Sequence, residues 1–211
     1  PVGYKKGDNV PVVLHAYPRE YSDASTAGQV RGSKHTFTRI SHTSELFFLL
    51  QGVAVLRNAE FPVIGDPETM NDTFIDQLKM NATAAVEALR EKEGIDADRI
   101  ACIGHSYGAF MVANLLIHTD YFLTGIAQSG AYNRTLTPFG FQSERRTFWE
   151  APDTYMAVSP FTHADKIKKP ILIFHGAEDN NPGTFTMQSD RLFAAIKGTG
   201  GTCLLYTSDA A

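Results

Sequence analysis

The pentapeptide Gly104-His105-Ser106-Tyr107-Gly108 stands between two unlike apolar segments. Before it, residues 100–103 (IACI) form a short, fully apolar run of strand character. After it, residues 107–117 (YGAFMVANLLI) are apolar nearly all round, as in a helix buried on most sides. Strand, glycine-flanked serine and helix in immediate succession is the context of a nucleophile elbow. The backbone at such a serine is strained. Glycines two residues before and after it let strand and helix cross closely. The turn lifts the Ser106 hydroxyl above the sheet edge. It aims the Tyr107 amide at the same point, at a helix N-terminus that favours negative charge. The bare pattern also arises by chance in loops; its flanks make it informative.

The rest of the chain alternates in the same way. Residues 10–17 (VPVVLHAY) read as a buried strand stopped by Pro18, and residues 18–40 as a long polar loop. A short helix over 44–51 ends at Gly52, and 53–56 (VAVL) is the next strand. Asn71 or Asp72 can cap a helix reaching Glu93, whose Ile75, Leu78, Ala82, Ala85 and Leu89 form one apolar stripe. Residues 123–127 and 170–174 (PILIF) read as strands, and 184–196 as an amphipathic helix. Alternation of this kind predicts an α/β architecture, a mostly parallel sheet flanked by helices. With the elbow, it predicts the α/β-hydrolase fold.

The 211 residues suit one domain, and a formal charge of −4 gives no reason to expect nucleic acid or an anionic membrane as partner. No apolar run reaches the roughly 18 residues of a membrane span. Cys102 and Cys203 make neither a disulfide framework nor metal-type spacing, so the redox compartment stays open. No phosphate-cradling loop or metal cluster is visible, and no cofactor is expected.

In this fold the triad runs serine, acid, histidine along the chain. Glu178 and Asp179 follow the strand in 171–181 (ILIFHGAEDNN), and spacing alone does not separate them. Two solvated loop acids would look the same. A histidine beyond them is missing: the last is His175. His15, His35, His42, His105, His118 and His163 precede it and read as structural or surface residues.

Several longer runs resemble one family. They are Ala16-Tyr17-Pro18-Arg19-Glu20, Gly28-Gln29-Val30-Arg31-Gly32, Pro62-Val63-Ile64-Gly65, and residues 104–111 (GHSYGAFM). Residues 129–141 (SGAYNRTLTPFGF), 148–155 (FWEAPDTY), 159–167 (SPFTHADKI) and 178–185 (EDNNPGTF) extend them. Together they resemble the catalytic domain of the prolyl oligopeptidase family, most closely its glutamyl endopeptidase-like branch. The resemblance makes Ser106 the nucleophile and Asp179, rather than Glu178, the triad acid. It makes Tyr17 a side-chain donor of the oxyanion hole beside the Tyr107 amide, where a ring packed at a strand end would be the ordinary role.

The resemblance also implies peptide substrates cleaved after glutamate, which calls for a fixed positive charge. Arg19, Arg31, Arg39, Arg134, Arg145 and Arg146 are available. Arg19 or Arg31 is the expected contact, although Arg19 could equally pair with Glu20 or Asp23. An esterase or acylaminoacyl peptidase shares elbow and acid. The family's downstream strand and histidine loop have no counterpart here. Residues 203–211 (CLLYTSDAA) do not resemble the family and look like translated adapter sequence. The expectation is therefore a partial catalytic domain over 1–202 with a non-native tail at 203–211, incomplete at both ends. The family's N-terminal β-propeller is expected only in the parent protein. That parent should be an active peptidase, and the chain as given an inactive fragment.

Overall fold

The computed structural model describes residues 1–29, 35, 37, 40–41 and 43–208. Arg31, Arg39 and His42 lie outside the described residues. Six parallel strands form one sheet: β1 (Val10–Tyr21), β2 (Ala54–Ile64), β3 (Ile95–His105), β4 (Phe122–Gln128), β5 (Ile171–Gly176) and β6 (Cys203–Ser208). Their spatial order is β2-β1-β3-β4-β5-β6. The crossovers carry the helices α1 (Phe74–Arg90), α2 (Tyr107–His118), α3 (Pro152–Val158) and α4 (Met187–Gly198). Strand order reverses between β1 and β3, and the carboxyl ends beside such a switch are where open α/β sheets bind ligands.

Val12, Leu14 and Ala16 of β1 enter the core with Ile100 and Cys102 of β3 and Ile171 and Ile173 of β5. Ten residues of α2 are buried, as its uniform apolarity predicts. The stripe of α1 is Phe74, Leu78, Ala82, Val86 and Leu89, with Ile75 and Ala85 at its margin.

Several boundaries differ from the sequence reading. Pro18 does not stop β1. Beyond His15 the strand pairs only with β2, and β2 is itself an edge, so Pro18 and its partner strand's Pro62 are tolerated there. Neither Asn71 nor Asp72 caps α1 through its side chain. Residues Met70–Thr73 form a 3-10 turn, and Asp72 instead accepts hydrogen bonds from Arg146 and Thr154. Met187, not Thr184, opens α4. The helix at 44–51 is a 3-10 helix, capped by the Ser44 hydroxyl and closed by Gly52 at φ +76°.

Residues 203–208, set apart from the domain in the sequence reading, pair with β5 from Ile171↔Cys203 to Gly176↔Ser208. The Tyr206 ring stacks on Phe174 with centroids 5.2 Å apart, and Cys203 is buried. The alternating, β-prone sequence of this segment suits an edge strand, so the sheet continues past β5.

Candidate active site

The site is built at the carboxyl ends of β3 and β5. At the end of β3, Ser106 has φ 57° and ψ −115°, a conformation that a residue with a side chain rarely adopts and that costs of order 1–3 kcal/mol. The flanking glycines are required by contact. A Cβ on Gly104 would sit 2.4 Å from the Gly108 backbone, and one on Gly108 would sit 3.0 Å from the Ala16 carbonyl oxygen. The Ser106 amide donates to the Gln128 carbonyl at 2.8 Å, and its own carbonyl accepts from Ala109 and Phe110. Helix α2 therefore starts at the serine. The Tyr107 amide is left without a backbone acceptor among the described residues, as expected in a first helical turn.

The acid loop leaves β5. Ser129 donates its amide to the Phe174 carbonyl at 2.8 Å, tying the end of β4 to β5. Asp179 is held on all sides: its amide donates to Gly176, and its Oδ1 accepts from the Asn181 amide at 3.0 Å. Its Oδ2 lies 3.2 Å from His175 Nε2 and 3.5 Å from Thr184 Oγ1. Glu178 is exposed beside it. Ser106, Gln128, Ser129, Asp179 and Asn181 line one cleft of about 540 Å³. Glu178 lines this cleft as well. The two acids differ in their anchoring: the Asp179 carboxylate is held by His175 and by the Asn181 amide, whereas Glu178 is exposed.

Tyr17 reaches the elbow through its ring, 3.5 Å from the position a Gly108 Cβ would take, and packs edge-on against Tyr107 at 6.1 Å. It is 39% exposed. The Tyr107 phenol is buried and donates to Glu20 Oε1 at 2.8 Å. Burial and the Glu20 charge push its pKa well above the ordinary tyrosine value. Arg19 is exposed and lines grooves with Tyr17, Tyr21 and Glu20, not the cavities that contain Ser106. It has no ion pair with Glu20 or Asp23 among the described residues.

The histidines serve other purposes. His175 is fully buried, with Nδ1 2.6 Å from Ser189 Oγ and Nε2 facing Asp179. His118 and His163 meet edge to face at 5.7 Å, and His15 lies 4.0 Å from Glu45. His105 is exposed on the rim of the Ser106 cleft. None of these five is hydrogen-bonded to Ser106. Among the described residues no three His, Cys, Asp or Glu side chains converge as a metal site needs.

Comparison with known proteins places the chain in a family. The model of the prolyl oligopeptidase family of peptidases matches residues 60–210. The chain belongs to the prolyl oligopeptidase family. Two relatives named "Probable glutamyl endopeptidase, chloroplastic" are 53% identical over 97% of the chain in Arabidopsis thaliana and 52% over 95% in Oryza sativa subsp. japonica. The chain spans 22% of the length of each of those relatives. Among solved structures, Porphyromonas gingivalis dipeptidyl peptidase 4 superposes with a TM-score of 0.73 at 20% identity, over 100% of this chain and 29% of its own. Pyrococcus horikoshii acylaminoacyl peptidase gives 0.71 at 18% identity, over 99% of this chain and 33% of its own. At those identities the likeness establishes the α/β-hydrolase fold.

Two features of the site had little signal in the sequence. His175 reads as a strand residue, and nothing local says that its ring supports Asp179. Arg134 is one of the six arginines named as candidate contacts; a charge inside the otherwise uncharged run 129–141 is the only hint that it is buried.

Proposed function

We propose that the chain carries the nucleophile and acid of a serine peptidase that cleaves peptide bonds through an acyl-enzyme on Ser106. The observation that carries this reading is the Ser106 backbone at φ 57°, enforced by Gly104 and Gly108 and placed on the cleft that Asp179 also lines. The Ser106 oxygen attacks the scissile carbonyl carbon as its proton passes to an imidazole base. The tetrahedral intermediate collapses to an ester and expels the amine, which takes that proton. Water then hydrolyses the ester. Asp179 is the group that would orient the imidazole, and the Tyr107 amide and the Tyr17 phenol would share the developing oxyanion.

None of His15, His105, His118, His163 and His175 is hydrogen-bonded to Ser106, so the proposal places the base on a histidine outside the described residues. The names of the two plant relatives support cleavage after glutamate. An esterase or acylaminoacyl peptidase would use the same elbow and acid, and relative rates on a glutamyl peptide and a short acyl ester separate the readings.

The test is labelling with a fluorophosphonate probe. The chain extended through a downstream histidine should be labelled at Ser106, and Ser106→Ala should abolish it. An extended, folded chain that stays unlabelled would sink the proposal. Labelling of the 211-residue chain itself would instead show that a base is already present.

A further inference from the structure

Arg134 is the buried arginine among those described, 4% exposed. Its backbone is fixed: its amide donates to Ser159 Oγ at 2.9 Å, and its carbonyl closes the 3-10 turn Arg134–Leu136 that Asn133 caps. Its guanidinium lies over the rings of Phe110, Phe141 and Tyr107, with centroids at 4.3, 4.7 and 5.7 Å. Its Nε is buried without an acceptor, and among the described residues it has no ion pair. The nearby carboxylate of Glu20 is already engaged, one oxygen by the Tyr107 hydroxyl at 2.8 Å and the other by the Ser143 amide at 2.6 Å.

A buried guanidinium without a counter-ion is costly. Stacking on aromatic rings offsets only part of that cost. Burial pushes the group's pKa down only to about 10, so it remains charged at neutral pH. Arg134 lines a small cavity of about 150 Å³ together with Ser106, Tyr107, Phe141, Asn181 and Thr184. Ser106, Asn181 and Thr184 also line the larger cleft that holds Asp179, so the small cavity opens off the reaction centre.

We infer that Arg134 is the specificity residue of the site, receiving the side-chain carboxylate of a glutamate that precedes the scissile bond. This rests on the peptidase reading above and names the charge that reading requires. The planar guanidinium offers paired donors matched to a carboxylate, and the surrounding rings suit the side chain's two methylenes. Arg19 cannot compete on this ground, being exposed and outside both cavities that contain Ser106.

The test is binding rather than turnover, so it does not depend on a catalytic base. Acetyl-Ala-Glu-amide and acetyl-Ala-Gln-amide, which differ by one charge and hardly in shape, are titrated calorimetrically into the chain. The glutamyl peptide should bind at least about 10-fold more tightly. Arg134→Gln should erase the difference, and Arg134→Lys, which keeps the charge without the fork, should retain part of it. Thermal unfolding of each variant shows whether it remains folded. Equal or undetectable binding of both peptides to the unaltered chain overturns the inference. So does discrimination that survives R134Q or is lost only in R19Q. Fluorophosphonate labelling of Ser106, measured separately, reports on the peptidase reading: discrimination without labelling of the extended chain sinks catalysis and keeps Arg134, and the converse result does the opposite.

Discussion

Nε2 of His175 lies 3.2 Å from Oδ2 of Asp179, and both nitrogens of this fully buried ring are engaged. Nδ1 shares a hydrogen bond with the Ser189 hydroxyl, and Nε2 with the Asp179 carboxylate. The ring thus tethers the acid loop to α4 from beneath, on the side away from solvent.

His175→Phe removes both bonds and takes one partner from the buried Ser189 hydroxyl. The expected loss of stability is about 1–3 kcal/mol, read from urea unfolding. In the extended enzyme, the rate of fluorophosphonate labelling at Ser106 should fall as well, because Asp179 loses its support. Unchanged labelling would make His175 a packing residue only.

Tyr17→Phe keeps the ring contacts with Tyr107 and Gly108 and deletes the phenol. As an oxyanion donor its loss should lower kcat by about 10²–10³-fold with little change in KM. Steady-state kinetics of the extended enzyme decide this, and an unchanged kcat removes Tyr17 from the oxyanion hole.

The two elbow glycines should differ in their tolerance of alanine. At Gly104 the new methyl would meet main-chain atoms of Gly108 at 2.4 Å, whereas at Gly108 the nearest atom is an oxygen at 3.0 Å. G104A should cost at least about 3 kcal/mol, and G108A less. Thermal melts of both variants check the order.

Arg146 joins Asp72 to Glu144, whose side chain is fully buried. Burial pushes the Glu144 carboxyl up, but Arg146 and Asn71 outweigh it and hold the pKa below the usual value; Arg146 does the same for Asp72. Arg146→Ala strands a buried charge and should destabilise by about 3–5 kcal/mol. Because both folded-state values are depressed, this stabilisation is complete above the ordinary carboxylate range near pH 4 and fades as pH falls below it. Chemical denaturation at pH 7 and pH 3 should show the gap between wild type and R146A narrowing in acid.

His118 gives a second acid-sensitive contribution, in a higher window. Burial, then the charges of His163, Lys166 and Lys79, bring its pKa down from 6.5 to about 4. The unfolded chain takes up this proton first, so stability drops as pH falls from about 6.5 to about 4. Allowing for solvent around the half-buried ring, the loss is of order 1 kcal/mol. His118→Gln should flatten the slope of Tm against pH across that interval.

The elbow was legible because its requirements are local: two glycines, a serine and the apolar segments on either side lie within twenty residues. The candidate acids were only half legible. Glu178 and Asp179 follow the same strand, and what distinguishes them is a hydrogen bond from a buried ring four residues earlier in sequence. The run of β1 through Pro18 could not be foreseen, since edge status depends on which strands lie alongside. Arg134 was visible as a residue but not as an interior one. Its surroundings come from α2 and from the segment around Phe141, and no window of sequence contains both.

The strand order has a consequence for the spacing of the site. Ser106 leaves β3 and Asp179 follows β5, with β4 between them, and the amides of Ser106 and Ser129 extend the ladder to the very tips of these strands. Two inter-strand steps come to about 9–10 Å. Main-chain pairing therefore fixes how far apart the two strand tips stand, much as rungs fix the width of a ladder, and leaves the loop after β5 to set the remaining reach of Asp179.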